Sequence, residues 1–289
     1  KDGTISCATC HHEDKAFTDG LKFSKGINDQ EGDKNSMPLF NLAWKSSFFW
    51  DGRAKSLRDQ VLQPIQDHRE MASDLKIVVA QLQKDELRAF ENAFGPGPVT
   101  EEKIALALEN FLLTLTSYDS KFDRAMSGKA KLSEAEQRGM ELFFTEYEPR
   151  SQQYGADCFH CHGGSFFSDH QFHNNGLKPS LFDTGLMKVT GKETDRGKFS
   201  TPSLRNIALT APYMHDGRFQ TLEEVIRHYN EGIHRTSTLD PNLAKHPKGG
   251  IALSGKDQAA LISFLKSLTD KKYGAKERNS QKTQAPLRR

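Results

Sequence analysis

Apolar residues recur at helical spacing in several segments of this 289-residue chain, which predicts a mainly α-helical protein. Capping boxes formed by Ser133 with Glu136 and by Thr221 with Glu224 mark the starts of two helices, the first covering about 132–144. Further helices are predicted over 73–83, over 85–94 before a Gly-Pro-Gly-Pro sequence, after Thr100, and over 254–268. The helix after Thr100 is expected to bury one apolar face made of Ile104, Leu108, Phe111, Leu112 and Leu115.

A five-residue motif occurs twice and contains all four cysteines of the chain: Cys7, Cys10 and His11 in the first copy, and Cys158, Cys161 and His162 in the second. In a C-x-x-C-H motif the two thiols can form thioethers to one haem while the histidine ligates its iron. The two motifs therefore indicate a dihaem c-type cytochrome with covalently bound haem c.

Two other uses of these cysteines have to be weighed. One zinc ion could be held by all four thiols, but the histidine directly after each second cysteine argues against this. A redox dithiol is expected at a junction from strand to helix, whereas the second motif follows the helical segment that ends near Phe144.

Two cytochrome c-like domains with one haem each are the simplest organisation for a chain of this length. We expect an N-terminal domain over 1–120, a C-terminal domain over 121–270, and a disordered basic tail over 271–289. The segments 12–50 and 163–215 are too long for ordinary connections and are expected to wrap the haems. Only six residues precede the first motif, so the comparison of the two halves predicts that the N-terminal domain lacks its first helix in this chain.

The charge balance changes this picture little. The 40 basic and 38 acidic residues give a net charge of +2, which favours neither nucleic acid nor an acidic substrate. No apolar run approaches the roughly 20 residues of a membrane span. Covalent haem attachment takes place outside the bacterial cytoplasm, so we expect a periplasmic protein whose export signal is absent from this chain.

Three further segments have a recognisable sequence: FWDGRA at 49–54, QVLQPI at 60–65 continuing to Glu70 and Met71, and TPSLRN at 201–206 followed by LTAPYMHDG at 209–217. With the haem motifs, these segments resemble the bacterial dihaem cytochrome c peroxidases and the related MauG enzymes from the first residues to about 268. The resemblance implies a cytochrome-c peroxidase-like oxidoreductase. It leaves open whether the chain forms a homodimer.

The same resemblance implies roles for single residues. The haem on His11 would be the one at which peroxide is cut, the haem on His162 would relay electrons, and Trp50 would lie between them. Glu70 resembles the distal acid that moves a proton during peroxide cleavage, and Gln60 resembles the amide that positions the same pocket. From the residues alone, Trp50 could be an ordinary core residue, and Gln60 and Glu70 could be solvated helix residues.

Three more residues, Asn35, Thr210 and Pro212, fall where this family binds a calcium ion between its domains. Side-chain and carbonyl oxygens are suitable ligands for calcium, with water completing the shell. Taken alone, these residues would indicate only turns.

The chain departs from the peroxidase pattern at two positions. Typical dihaem peroxidases place a blocking histidine ligand about sixteen residues after the first motif, and here that position is Ile27. We therefore expect the first iron to be reactive without prior reduction. The second departure is Tyr229, which stands where the peroxidases have a methionine ligand to the second haem and the MauG enzymes have a tyrosine. Met214 and His228 compete with Tyr229 as the sixth ligand, and Tyr229 could instead be packed in the core.

Three functions follow from these patterns. The first is reduction of hydrogen peroxide to water with electrons from a small donor protein, either a cytochrome c or a cupredoxin. The second is a MauG-like reaction, in which the oxidising equivalents of peroxide are used on a residue of a partner protein. The third is a dihaem electron carrier without peroxide chemistry.

Overall fold

The computed structural model describes residues 3–273 and confirms that the protein is mainly helical. None of the helices in this range is long and apolar enough to span a membrane. In the described range the helices α1 to α12 are, in order, Cys7–Cys10, Leu57–Gln66, Leu75–Asp85, Leu87–Phe94, Glu101–Leu113, Lys121–Met126, Glu134–Phe144, Phe159–His162, Met187–Thr190, Leu222–Glu231, Pro241–Ala244 and Gly255–Ser267.

Strands contribute little to the described range. The strand pair Tyr147–Glu148 (β1) and Gln153–Tyr154 (β2) is antiparallel, with Tyr147 opposite Tyr154. The pair Phe172–His173 (β3) and Phe199–Ser200 (β4) is also antiparallel and ties together two parts of the long segment 163–215. Apart from these pairs and a few short helical turns, the two long segments are irregular, as the sequence predicts.

The predicted capping residues begin the helices that they were expected to begin. Thr221 Oγ1 accepts a hydrogen bond from Glu224 N at 3.2 Å at the start of α10, and Ser133 caps α7 in the same way. Helix α3 starts later than predicted because the Asp74 side chain accepts a hydrogen bond from Lys76 N at 2.8 Å. The hydrophobic pattern does not predict α2, a largely polar helix that Ser56 caps.

A core of apolar residues in the C-terminal half is built on the packing of α7 against α12. Gly139 allows the close approach, because a β-carbon at this position would lie 2.0 Å from Ala260 O. Around this contact, Phe143, Phe167 and Phe264 are almost completely buried and pack edge to face or at a tilt. The second haem-attachment motif lies against this core, since Cys158 and Phe159 pack on it.

A separate apolar core in the N-terminal half lies between α2 and α5. Leu57 and Val61 of α2 are buried together with Ala105 and Leu112 of α5. The predicted apolar face of α5 is wrong at Phe111, which is 57% exposed. The buried face is centred on Ile104, Ala105 and Leu112, which places Phe111 at its edge.

Four buried polar residues join the two halves of the chain. Asn41 Nδ2 donates to Ser117 O at 3.0 Å, Asn206 Nδ2 donates to Ser117 Oγ at 2.9 Å, and Asp270 N donates to Asn206 Oδ1 at 2.8 Å. We call these four residues the polar hub. The two apolar cores and the hub between them are compatible with the predicted division at residue 120, which stays a prediction.

The disordered tail is predicted to begin at residue 271, and this start is too early. Tyr273 is only 2% exposed, packs between the rings of Phe17 and Phe40, and donates a hydrogen bond from its hydroxyl to Thr116 O at 3.0 Å. Burial of an aromatic ring offsets the entropy of ordering these last residues of the described range. The rest of the predicted tail, 274–289, lies outside the described residues.

Candidate functional site

The first motif forms a short helix, α1, with His11 directly after it. The Nδ1–H group of His11 donates to Phe17 O at 2.7 Å, which leaves Nε2 as the free nitrogen of the ring. Burial lowers the pKa of His11 below its ordinary value, so the ring is neutral at neutral pH. A neutral imidazole whose other nitrogen is anchored on a backbone carbonyl is the form that ligates a metal.

The second motif repeats this arrangement. Its helix, α8, contains His162, whose Nδ1–H group donates to Phe167 O at 3.1 Å, and burial again lowers the pKa of this histidine. The four cysteines form no disulfide, and they are not gathered within ligating distance of one another. The zinc interpretation of the sequence is therefore excluded by the geometry, and each motif fits one haem.

A deep, mostly apolar cavity lies beside the second motif. Among the residues that line it are Cys158, Cys161 and His162 of the motif, together with Asn35, Trp50, Asn175, Thr210, Pro212, Met214 and Tyr229. An apolar cavity next to two thiols and an anchored imidazole suits a porphyrin. The structure thus brings the second motif together with six other residues that the sequence singled out: Asn35, Trp50, Thr210, Pro212, Met214 and Tyr229.

The three competitors for the second haem's remaining ligand position differ in where they lie. Tyr229 and Met214 both line the cavity. Burial raises the pKa of Tyr229 above its ordinary value, and a hydrogen bond from Asn175 to its hydroxyl opposes that shift. His228 is not part of the lining, and its Nε2–H group donates to Asn175 O at 3.0 Å. The geometry therefore favours Tyr229 or Met214 over His228.

Trp50 occupies the junction between the two halves. Its indole N–H donates to Asn35 O at 2.8 Å, and its backbone oxygen accepts from Ser200 N at 2.9 Å. Asn35, Thr210 and Pro212, the residues expected at a calcium ion, line the same cavity, and Asn35 N donates to His215 O at 2.8 Å. The bridging role of Trp50 and the calcium site stay predictions.

Glu70 lies near the first motif. Burial and, to a lesser extent, the Glu70 charge raise the pKa of the Cys7 thiol, and burial followed by the charges of Asp19 and Glu70 raises that of Cys10. Burial, followed by the charge of Asp67, raises the pKa of Glu70 itself above that of an ordinary glutamate. A desolvated carboxyl group beside a haem-attachment motif has the environment of a group that transfers protons.

Ile27 packs directly against Glu70. The backbone N–H of Ile27 donates to Glu70 O at 2.8 Å, and the Ile27 side chain is 3% exposed. The residue before it, Gly26, approaches the same backbone so closely that a β-carbon there would lie 2.0 Å from Arg69 O. Ile27 therefore sits beside the acid but offers no atom that could bind a metal.

Gln60 is less closely connected with Glu70 than the sequence analysis expects. It is half-buried on α2, and in the described part of the chain it makes no hydrogen bond to Glu70. The helix ends at Gln66, and Glu70 lies in the turn that follows. Their joint role at one pocket stays a prediction.

Two site residues are missed by the sequence analysis. His173 lies between Asp169 and Asp240, with its ring nitrogens 2.8 and 2.5 Å from their carboxylates, which raise the pKa of His173 to about 12. Asp169 and His173 are four residues apart, a spacing that would predict a pair on one face of a helix. This prediction would have been wrong, because the segment is not helical. Asn175 has no sequence signal at all.

Comparison with known proteins agrees with this geometry. The family model of the di-haem cytochrome c peroxidases matches residues 1–131. Cytochrome c551 peroxidase from Nitrosomonas europaea is 38% identical over 283 residues, which cover 93% of this chain and 75% of that protein. Methylamine utilization protein MauG from Methylophilus methylotrophus is 32% identical over 271 residues, covering 93% of this chain and 77% of that one.

A solved structure shows the same relationship. The crystal structure of a MauG-like protein associated with microbial copper homeostasis superimposes with a TM-score of 0.80 at 36% identity, covering 93% of this chain and 85% of that one. Family membership implies haem c as the cofactor, and the paired motifs with their anchored histidines fit it. The chain belongs to the di-haem cytochrome c peroxidase family, which includes the MauG proteins.

Proposed function

We propose that this protein is a periplasmic dihaem peroxidase that reduces hydrogen peroxide to water with electrons from a small redox protein, either a cytochrome c or a cupredoxin. One hydrogen peroxide, two electrons and two protons give two molecules of water. The observation that carries the proposal is the position of Glu70, a desolvated acid beside the first haem-attachment motif and in backbone contact with Ile27.

The attached haems supply the iron at which peroxide is reduced and the iron that holds the electrons for this reduction. Glu70 acts on the peroxide protons: its carboxylate accepts the proton from one peroxide oxygen and returns it to the oxygen that departs. Ile27 keeps this space free of a competing ligand, because a hydrocarbon side chain occupies the position at which related peroxidases have a histidine. Trp50 connects the two halves of the site through Asn35 and Ser200.

An optical titration of the ferric dihaem protein with cyanide tests this proposal. We expect one of the two haems to bind cyanide without prior reduction, because Ile27 offers no ligand to compete. If neither haem binds cyanide or peroxide in any redox state, the protein is an electron carrier and the proposal is wrong. Binding only after reduction of the other haem would contradict the role given to Ile27.

Replacing Trp50 with phenylalanine is expected to slow electron passage between the haems severalfold while leaving cyanide binding unchanged. Phenylalanine keeps an aromatic ring in the buried position but loses the N–H that holds Asn35 O at 2.8 Å. The measurement is the rate at which the pre-reduced second haem is oxidised after rapid mixing with peroxide. Trp44→Phe is the matched control, since Trp44 is 52% exposed and does not line the cavity. Equal rates in both variants would exclude a bridging role for Trp50.

A MauG-like reaction on a partner protein is the second candidate, and Tyr229 favours it. This residue lines the cavity beside His162, and a tyrosine ligand favours oxidised iron more than a methionine does. Peroxide added to the ferric protein without any donor distinguishes the two candidates. A spectral change that persists until a partner is added supports the MauG-like reaction, and rapid turnover with a reduced small cytochrome supports the peroxidase.

A further inference from the structure

The side-chain amide of Asn175 contacts both residues that could complete the ligand set of the second haem. Its Nδ2 group donates to the Tyr229 hydroxyl at 3.2 Å and to Met214 Sδ at 3.4 Å. Its backbone oxygen accepts the Nε2–H of His228 at 3.0 Å. Tyr229, Met214 and His228, the three candidate ligands of the second haem, therefore all form a hydrogen bond with Asn175.

The backbone around Asn175 is anchored on both sides. Asn174 O accepts a hydrogen bond from Asp240 N at 3.0 Å, and Gly176 O accepts one from His234 N at 2.8 Å. Gly176 has a φ of 72°, and a β-carbon there would lie 2.6 Å from Ile233. These bonds hold the backbone from which the Asn175 side chain reaches both partners.

Met214 is held in an unusual backbone conformation. Its φ of 74° lies in the left-handed region, which is strained for a residue with a β-carbon. The turn that contains it is closed by hydrogen bonds from Gly217 N to Met214 O at 3.1 Å and from Tyr213 N to Phe219 O at 2.7 Å. This strained turn places the thioether sulfur of Met214 beside the Asn175 amide.

The two acceptors of this amide differ in chemistry. A tyrosine oxygen is a strong acceptor that keeps a further lone pair, so it can accept the amide hydrogen bond and still bind a metal. A thioether sulfur is a weaker acceptor than a tyrosine oxygen, so it gains less from the same amide hydrogen bond. The amide therefore stabilises a tyrosine ligand more than a methionine ligand.

We propose that Asn175 is a positioning residue that selects the sixth ligand of the second haem: its amide stabilises Tyr229 in the ligand position, so that Tyr229 and not Met214 occupies it. The selection rests on the haem assignment to His162 in the proposed function. Asn175 does not touch the iron in this account. It decides which side chain does.

The test compares Asn175→Leu with the double variant Asn175→Leu/Met214→Leu in the ferric protein with both haems attached. Leucine branches at the same carbon as asparagine and has no N–H group, although it is the larger side chain. We expect the single variant to acquire methionine ligation, seen as new low-spin signals in low-temperature electron paramagnetic resonance and as a raised reduction potential of the second haem. The double variant should show neither change, because the competing sulfur is gone.

Two results would overturn the proposal. In the first, the Asn175→Leu protein keeps the wild-type signals and potential. In the second, the wild-type protein already has methionine bound at the second haem. If the leucine variant does not accumulate, Asn175→Ser removes the amide while keeping a polar side chain in the loop, and the same two readouts apply. Cyanide binding at the first haem is expected to be unchanged in every variant. Its absence from the wild-type protein would contradict the peroxidase proposal and leave the ligand change at the second haem readable.

Discussion

Replacing Glu70 with glutamine is expected to lower the rate of peroxide turnover by roughly 10²- to 10⁴-fold, the range measured for loss of a positioned acid–base group. Glutamine has nearly the same shape and can still form hydrogen bonds, but it cannot accept the peroxide proton and return it. Because Glu70 is largely desolvated, removing its charge should not destabilise the fold. The measurement is steady-state oxidation of a reduced cytochrome c or cupredoxin by hydrogen peroxide.

The matched control is Glu91→Gln, an exposed glutamate on α4 at which turnover should be unchanged. Cyanide affinity of the ferric protein should change little in Glu70→Gln, which separates loss of proton transfer from loss of the binding site. Full turnover in Glu70→Gln would show that another group moves the proton. The assignment of Glu70 as the acid would then be wrong.

The pH dependence of turnover checks the same assignment. Glu70 has to be ionised to accept a proton, and burial raises its pKa above the ordinary value of about 4.3. Turnover should therefore fall as the pH drops through this raised pKa, with a midpoint above that of an ordinary glutamate. The acidic limb of the profile should disappear from whatever activity remains in Glu70→Gln. A limb at the ordinary glutamate pKa would indicate a different, solvated carboxyl group.

Replacing Asp270 with alanine should lower the free energy of unfolding by about 3 to 5 kcal/mol, because one buried and three partly buried donors lose their acceptor together. Asp270 Oδ2 accepts hydrogen bonds from Ser117 Oγ, Tyr118 N and Asp119 N at 3.0 to 3.2 Å, and Oδ1 accepts one from Lys272 N at 2.9 Å. The residue is 4% exposed, so water does not replace these bonds in the folded protein. Urea unfolding of the dihaem protein measures the change.

Asp119→Ala is the control, since it removes an exposed carboxylate next to the hub and keeps the backbone N–H that Asp270 binds. Its effect should stay within about 0.5 kcal/mol. Burial alone would raise the pKa of Asp270, but its backbone hydrogen bonds from Lys272, Asp119 and Tyr118 together lower it. The stabilisation is therefore complete above the unfolded-state pKa of about 3.9 and is lost as the pH falls through the lower folded-state pKa. A difference between wild type and Asp270→Ala that did not shrink in acid would contradict this account.

Local chemistry made part of this protein predictable. The helix starts at Thr100, Ser133 and Thr221 follow from side chains that bond to backbone groups within three residues, so a short window of sequence contains the whole interaction. The two haem motifs are equally local, since five adjacent residues carry both thiols and the histidine of each. Each histidine then finds its anchoring carbonyl only five or six residues away.

The wrong predictions at Phe111 and Tyr273 have a common cause. Phe111 satisfies the helical period of α5, but the direction from which α2 packs decides which face is buried. Tyr273 belongs to a segment of disordered composition, yet its ring fits between Phe17 and Phe40 from the other end of the chain. Burial depends on partners that are distant in sequence, and no local pattern records them.

The sequence by itself determined the family, the cofactor class, the capped starts of several helices and the identity of the departures at Ile27 and Tyr229, because each of these depends on residue types at short, fixed spacings. The tertiary structure alone decided that Glu70 lies against Ile27 and that the amide of Asn175 reaches both Tyr229 and Met214. The last two partners are 54 and 39 residues from Asn175 along the chain. Contacts over such separations form only when the intervening segments of each half have packed, and the energy of that packing is not contained in any one segment.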